Sequence, residues 1–263
     1  MLTEQQRAHF DTFGFVIFKQ LFTPAETAEI TRNFDDVMAE QRNGEPFPGD
    51  RRQMILSLVE QRDELARLLE DDRIYGIAED VVGPNFVWIA GDGNLYVGDT
   101  QWHPDAGKYP IIKVAFYLDP VREDSGCLRV IPGSHKEPLH SDLKVMTRHR
   151  ETPPVYPFGA KPEDIPAFPL ESDPGDVVMF NQNLWHSSFG GSTHRRMFTL
   201  NFAKRPESAE DEAWFRWVYD INLNFVKKMT YGPRDHVYNP RFLTGGGPRR
   251  QSMVKSIVEW GFK

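Results

Sequence analysis

The chain has 263 residues, of which 40% are hydrophobic and 26% charged, a composition typical of an ordinary globular protein. Its 31 Lys and Arg against 38 Asp and Glu give a net charge of −7, which argues against a broad basic surface for nucleic acid or acidic lipid. A chain of this length buries about 70–75% of its surface on folding, so any metal would serve function and not folding.

The cysteine content and the hydropathy of the chain predict the cellular compartment in which the protein is located. The single cysteine, Cys127, excludes an internal disulfide and fits a reducing environment. It precedes a strand-like run, which favours a buried structural thiol over a nucleophile. The N-terminus has neither a basic nor an apolar signal region, and no run of about 18 apolar residues occurs. We therefore expect a cytoplasmic protein with no membrane partner.

The N-terminal 80 residues are predicted to be mainly helical around one strand, residues 14–18. Thr3 is suited to cap a first helix. Thr23-Pro24-Ala25-Glu26 predicts the start of a second, because Thr caps well, Pro suits the first helical position and Glu26 completes a capping box. Residues 43–50 are predicted to form a loop, and 62–82 a further helical region.

Short strands dominate the next part of the chain, separated by Gly, Pro and Asp turns. The predicted strands are 86–90, 95–97, 111–118, 127–131, 177–180 and 195–202. This pattern indicates a sandwich or jelly roll and not βαβ units. The Pro-rich segment 152–169 is predicted to be a functional loop. Helices follow over 209–224 and 251–260, and no linker separates two domains, so we expect a single domain over 1–263 with a jelly-roll core at about 86–205.

A first candidate motif for metal binding is Gln101-Trp102-His103-Pro104-Asp105. In an extended segment, residues two apart point the same way, so His103 and Asp105 can bind one cation from adjacent positions. Such a pair by itself more often lies at the surface.

A second motif begins at the turn Pro174-Gly175-Asp176, which leads into a strand, and a further turn then brings in His186. His186 alone is more often a packing or surface residue. Together with His103 and Asp105 it completes two histidines and one carboxylate, the set that leaves open positions on non-haem Fe(II). Those positions suit a bidentate co-substrate and dioxygen.

A third element is the arginine pair that opens the strand at 195. A guanidinium is the natural partner for the distal carboxylate of a metal-bound α-keto diacid. Arg195 shares one strand face with Met197, Thr199 and Asn201, whereas Arg196 shares the other face with apolar residues. The more polar face suits a solvated barrel interior, which favours Arg195.

In this order the motifs resemble the phytanoyl-CoA dioxygenase family of Fe(II)/2-oxoglutarate oxygenases, over about residues 4–205. The resemblance is carried by Gln101 to Asp105, Gly126-Cys127-Leu128 running into Ile131-Pro132-Gly133-Ser134-His135, Pro174-Gly175-Asp176, His186 and Arg195. It implies a mainly β double-stranded β-helix, a cupin-like jelly roll with helices packed on it, and it implies Fe(II), 2-oxoglutarate and O2 as cofactor and co-substrates.

The resemblance also implies roles for individual residues. His103, Asp105 and His186 would ligate iron as the catalytic centre, Arg195 would bind the distal carboxylate of 2-oxoglutarate, and Ser188 would help to hold it. Asn94 and Thr100, on the approach to His103, are further candidates for cofactor binding. The co-substrate pocket is expected to differ in detail from that of relatives with an aromatic residue near Ala115, because Lys113 and Phe116 are the notable residues there.

The predicted function is therefore oxidation of a small molecule with release of succinate and CO2, and tailoring of a secondary metabolite is the suggested setting. The carboxylate of Asp105 favours hydroxylation or another oxidation over halogenation, since related halogenases have a small residue at that position. A non-catalytic cupin-like metal or small-molecule binding protein is the alternative, although it would not need Arg195 beside the three ligands. A metal-dependent hydrolase or isomerase on the same scaffold would not need Arg195 either.

Overall fold

The computed structural model describes residues 1–105, 109–151, 153, 155–156, 158–191 and 195–263. Within these residues the helices are α1 (Glu4–Phe13), α2 (Pro24–Glu40), α3 (Asp63–Ala66), α4 (Asp72–Val82), α5 (Leu139–Asp142), α6 (Ala209–Val226), α7 (Pro240–Thr244) and α8 (Pro248–Glu259). The strands are β1 (Phe15–Phe18), β2 (Gln53–Leu56), β3 (Val87–Trp88), β4 (Asp92–Tyr96), β5 (Thr100–His103), β6 (Ile111–Tyr117), β7 (Leu128–Val130), β8 (Phe168–Leu170), β9 (Val177–Asn181), β10 (His186–Ser188) and β11 (Arg195–Ala203). Short 3-10 turns cover Leu58–Gln61, Arg67–Leu69, Leu143–Arg150 and Pro162–Asp164.

Two antiparallel sheets form the β core. The larger has the order β1-β9-β6-β11-β4-β2, with β3 also paired to β11, and the smaller has the order β5-β10-β7-β8. Neighbouring strands are mostly distant in sequence, as in a jelly roll, so the predicted fold class is confirmed. The edge strands β1 and β2 precede residue 86, and the larger sheet therefore extends beyond the predicted core of 86–205.

The larger sheet buries its outer face against helices. On β11, Phe198, Leu200 and Phe202 are fully buried in the main apolar cluster. The Phe198 ring stacks on Phe116 of β6 at 4.6 Å between centroids and lies 6.3 Å from Phe34 of α2. The alternation predicted for β11 is thus present, with apolar residues outside and Arg195, Met197 and Thr199 lining the interior cavity.

Local signals predicted the N-terminal helices well. Thr3 and Thr23 both form capping boxes, with Gln6 and Glu26 respectively. The predicted helical region 62–82 is interrupted, because Asp71 acts as a new N-cap and starts α4 after a short 3-10 turn. The end of the predicted loop 152–169 is a strand, because β8 begins at Phe168 and pairs with β7. Residues 152, 154 and 157 of this loop lie outside the described part of the chain.

Cys127 is fully buried, and burial raises the pKa of its thiol to about 11, so it has little thiolate character at neutral pH. Among the described helices, none is long and apolar enough to span a bilayer.

Candidate active site

The pairing of β5 with β10 brings the two candidate histidines together. His186 lies directly opposite His103 in the register, and their ring centroids are 4.4 Å apart. Asp105 follows two residues after His103, and its backbone N–H donates to the carbonyl of Gln182 at 2.9 Å. Sequence positions separated by some 80 residues therefore converge at one end of the smaller sheet.

The ring nitrogens of both histidines are oriented for binding. The Nδ1 atoms lie 2.7 Å from the carbonyl of Gln101 and 2.8 Å from that of Leu184, contacts in which Nδ1–H donates and Nε2 keeps its lone pair. His103 Nε2 lies 3.4 Å from Asp105 Oδ1 and His186 Nε2 lies 3.6 Å from Asp105 Oδ2. All three candidate ligand atoms lie within 4.8 Å of one another, a donor set that fits an iron(II) ion.

Electrostatics keep His186 and Asp105 in the protonation states that a metal requires. Burial lowers the pKa of His186 to about 4, which leaves the imidazole neutral at physiological pH. Burial alone would raise the pKa of Asp105, but the ammonium of Lys113, 2.5 Å from Oδ2, holds it well below its usual range. A carboxylate and neutral imidazoles are the forms that bind metal.

Arg195 is held in a tight cradle beside this cluster. It is only 5% exposed, and its Nη2 donates to Ser188 Oγ at 3.1 Å, while Ser188 donates to the carbonyl of Gly126 at 2.9 Å. A Cβ at Gly126 or at Gly191 would overlap Arg195 Nη1. Nε and Nη1 of Arg195 are buried without a hydrogen-bond partner among the described residues. A buried guanidinium with two unpaired donor nitrogens fits a carboxylate ligand.

One cavity of about 370 Å³ joins the three candidate ligands to Arg195. It lies between the inner faces of the two sheets, and Ile221 and Phe225 of α6 contribute to its wall. Its other described lining residues are Arg52, Met54, Leu56, Asp92, Tyr96, Thr100, Lys113, Ala115, Tyr117, Leu128, Phe180, Ser187, Ser188, Met197, Thr199 and Asn222.

Of the other residues predicted to bind the co-substrate, two line the cavity and one does not. Ser188 and Thr100 line the cavity, and the Thr100 hydroxyl lies 3.5 Å from that of Tyr96. Asn94 is fully buried behind the lining residues, where its side chain bonds Asp92 at 2.6 Å and accepts from Arg52 Nε at 2.7 Å. Thr100 therefore lines the cavity, whereas the Asn94 side chain is hydrogen-bonded to Asp92 and Arg52.

Sequence reasoning missed the aromatic residues of this cavity. Lys113, Ala115 and Tyr117 alternate along β6 and share its inner face, while Phe116 points to the helix-covered side. Tyr117 therefore supplies an aromatic ring on this strand two residues from Ala115. Continuing the two-residue alternation from Lys113 would have found it.

Comparison with known proteins agrees with this geometry. The family model described as phytanoyl-CoA dioxygenase (PhyH) matches residues 10–198. The chain is 24% identical over 265 residues to a 2-aminoethylphosphonate dioxygenase of the uncultured bacterium HF130_AEPn_1, covering 90% of this chain and 96% of that protein. It is also 24% identical over 173 residues to a probable alpha-ketoglutarate-dependent hypophosphite dioxygenase of Stutzerimonas stutzeri, covering 56% of this chain and 58% of that protein.

Solved structures with the same fold include HygX from Streptomyces hygroscopicus with nickel and 2-oxoglutarate bound, at a TM-score of 0.62 and 19% identity, covering 81% of this chain and 100% of that one. EctD from S. alaskensis with bound Fe has a TM-score of 0.60 and 20% identity, covering 77% of each chain. The family model spans well over half of the sequence, so the chain belongs to the phytanoyl-CoA dioxygenase family and is an enzyme of the predicted dioxygenase class.

Proposed function

We propose that this protein is an Fe(II)- and 2-oxoglutarate-dependent oxygenase that oxidises a small molecule. The observation that carries the proposal is the convergence of two histidine Nε2 atoms and one carboxylate in the same cavity as a buried, partly unpaired guanidinium. The names of the hypophosphite dioxygenase relative and of the HygX structure, which mention alpha-ketoglutarate and 2-oxoglutarate, support the choice of co-substrate.

Each residue has a defined part in this proposal. His103, Asp105 and His186 hold the iron, and the carbonyls of Gln101 and Leu184 fix the two imidazole rings. When bound, iron, 2-oxoglutarate and O2 would supply the oxidation of the substrate, by hydroxylation or another oxidation, with succinate and CO2 as the products of the co-substrate. Arg195 binds the distal carboxylate, and Ser188 orients the guanidinium through its 3.1 Å contact.

The cavity limits the size of the substrate. A volume of about 370 Å³ lies near the lower end of ligand pockets, and the co-substrate takes part of it. What remains fits a small metabolite, and the apolar residues of β2 and α6 give it a partly dry wall. A secondary metabolite is the suggested substrate, and the single buried thiol fits a cytoplasmic location.

Succinate formation tests the proposal. Purified protein is incubated with Fe(II), 2-oxoglutarate and O2, with and without a panel of small organic molecules, and succinate is measured. We expect succinate that depends on both iron and O2, and none above background for His186→Ala. Iron binding without succinate above the His186→Ala background under all conditions would contradict the proposal and favour a non-catalytic cupin-like binding protein.

A further inference from the structure

A second arginine, Arg52, lies two strands away from Arg195 in the larger sheet and lines the same cavity. Strand β4 pairs with β11 on one side, where Tyr96 lies opposite Arg195. On its other side β4 pairs with β2, where Leu95 lies opposite Gln53. The antiparallel register therefore places Arg52 beside Tyr96. The Tyr96 ring lies between the two guanidinium groups, 4.6 Å from that of Arg195 and 4.0 Å from that of Arg52. Adjacent strands are about 4.8 Å apart, so the backbones of the two arginines are roughly 10 Å apart across β4.

Arg52 faces the cavity and is only partly used by its neighbours. Its Nε donates to Asn94 at 2.7 Å, and its Nη2 donates to Asp92 at 3.3 Å and to Met54 Sδ at 3.2 Å, while Nη1 makes no hydrogen bond within the part of the chain that the structure describes. One third of the side chain, 33%, is exposed, in contrast to the buried Arg195. The neighbours hold the guanidinium in place and leave one edge open to the cavity.

The charges of the cavity point to an anionic ligand. Its described lining includes the cations Arg52, Lys113 and Arg195 and the carboxylates Asp92 and Asp105. Lys113 contacts Asp105 at 2.5 Å and its charge also lowers the pKa of Asp92, so the two carboxylates are shared among several cations. The doubly charged iron ion and the doubly charged 2-oxoglutarate balance each other, so the loaded cavity keeps one excess positive charge.

The excess positive charge favours an anion, and Arg52 keeps a free donor group for it. In the proposed function Arg195 takes the distal carboxylate, and the iron takes Asp105 and the chelating end of the co-substrate. Lys113 contacts Asp105 directly, and Arg52 contacts Asp92 at 3.3 Å through Nη2, so Nη1 of Arg52 stays open to a further anion. A guanidinium with an open edge in a partly dry cavity attracts an oxyanion strongly.

We propose that Arg52 binds an anionic group of the substrate, so that the substrates of this enzyme are small organic anions. This inference rests on the proposed function and names its substrate class. The carboxylate or phosphonate head contacts Arg52, and a short body contacts Met54 and Leu56 of β2 on the same inner face. Carboxylates and phosphonates share this recognition chemistry, and the experiment distinguishes them.

Paramagnetic relaxation measures such binding even when it is weak. Protein loaded with Mn(II) in place of Fe(II), together with 2-oxoglutarate, is titrated with propionate, ethylphosphonate or the neutral propionamide, and proton relaxation of each probe is recorded. We expect at least one of the two anions, and not propionamide, to be relaxed through a saturable site. The anion that binds more tightly identifies the preferred head group.

Variants of Arg52 distinguish a role in binding the substrate anion from a purely structural role. Arg52→Gln should weaken binding of the anionic probe at least tenfold, and Arg52→Lys, which keeps the charge, should restore part of it. Both variants should bind Mn(II) and 2-oxoglutarate within about threefold of the wild type. Arg122→Gln is the matched control, because Arg122 also pairs with an aspartate, Asp173, but does not line the cavity.

Four results would overturn the proposed role of Arg52. Propionamide could be relaxed as strongly as the anions, the anionic probes could fail to bind, or their binding could be unaffected by Arg52→Gln. The fourth is a loss of 2-oxoglutarate affinity in Arg52→Gln comparable to that in Arg195→Ala. In each case the wild type still binds Mn(II) with 2-oxoglutarate. A wild-type protein that binds neither would overturn the proposed function itself, and the proposed role of Arg52 with it.

Discussion

The two faces of the larger sheet carry different chemistry, and strand β11 shows both. Its outer face presents Phe198, Leu200 and Phe202 to the helices, all fully buried. Its inner face presents Arg195, Met197 and Thr199 to the cavity. Burying an apolar side chain contributes about 1.5–3 kcal/mol, whereas a buried N–H group without a partner costs about 1–3 kcal/mol. The outer face therefore stabilises the fold, and the inner face keeps unpaired groups for ligands.

This contrast implies that changes on the two faces have separable effects. Substitutions of the outer face should lower the free energy of unfolding and leave ligand binding by the folded protein intact. Substitutions of the inner face should weaken or abolish ligand binding and leave the fold intact.

The largest effect is expected for Phe198→Ala. Loss of this fully buried ring should lower the free energy of unfolding by about 3–5 kcal/mol, since the stacked Phe116 cannot fill the cavity. Urea unfolding measures the change, with Phe158→Ala as a control because Phe158 is 53% exposed. Equal stability of the two variants would show that β11 does not carry the core.

Removal of His186 should affect binding but not folding. His186→Ala deletes one of three proposed ligands and should weaken Fe(II) affinity at least 100-fold, about 2.7 kcal/mol. Anaerobic calorimetry with Fe(II) measures the loss. His9→Ala is the control, because His9 lies on the exposed side of α1 and should bind iron like the wild type. Undiminished affinity in His186→Ala would remove it from the metal site.

A buried carboxyl group on the outer side should make stability depend on pH. Glu60 accepts hydrogen bonds from Trp88 Nε1 at 2.8 Å and the backbone of Asn239 at 2.7 Å, and burial raises its pKa from 4.5 to about 7. The unfolded chain ionises first, so the contribution of Glu60 to stability is full below pH 4.5 and falls as the pH rises to about 7. The loss is about 3 kcal/mol.

Glu60→Gln tests this dependence, because the amide does not titrate. The difference in unfolding free energy between wild type and variant should change across pH 4.5–7 and stay constant above about 7.5. Parallel profiles over the whole range would contradict a raised pKa for Glu60.

The smallest effect is expected for Ser188→Ala on the inner face. Loss of one hydrogen bond to Arg195 should weaken 2-oxoglutarate binding by about 0.5–1.5 kcal/mol, roughly 2- to 12-fold. The double variant with Arg195→Ala should lose hardly more than Arg195→Ala alone, since Ser188 acts through the guanidinium. Additive losses in this cycle would mean that Ser188 contacts the ligand independently.

The features that could be predicted from the sequence are those that a single strand or segment carries. The alternation along β11 separates Arg195 from Arg196, and the His-x-Asp spacing fixes two candidate ligands within one extended segment. Both are local patterns and could be predicted without the structure. The strands that carry them have recognisable apolar runs bounded by Gly, Pro and Asp.

Other features depend on which strands are neighbours. The row Arg52, Tyr96 and Arg195 exists because β4 lies between β2 and β11, an order that no local signal gives. The short strand β2 follows a polar loop and was not predicted at all. The contact of Lys113 with Asp105 likewise depends on how the larger sheet, which contains β6, faces the smaller sheet, which contains β5.

The most direct test of the central claim compares the adjacent arginines, which lie on opposite faces of β11. Arg196 pairs with Asp119 at 2.6 Å and Asp35 at 2.8 Å on the outer side. Apo-protein is titrated anaerobically with Fe(II) and 2-oxoglutarate, and the weak visible band of the chelate is followed in wild type, Arg195→Ala and Arg196→Ala.

We expect a band near stoichiometric iron in the wild type, at least tenfold weaker 2-oxoglutarate binding in Arg195→Ala, and affinity within about threefold of the wild type in Arg196→Ala. No band in the folded wild type, or equal losses in the two variants, would contradict the assignment of ligand binding to the inner face.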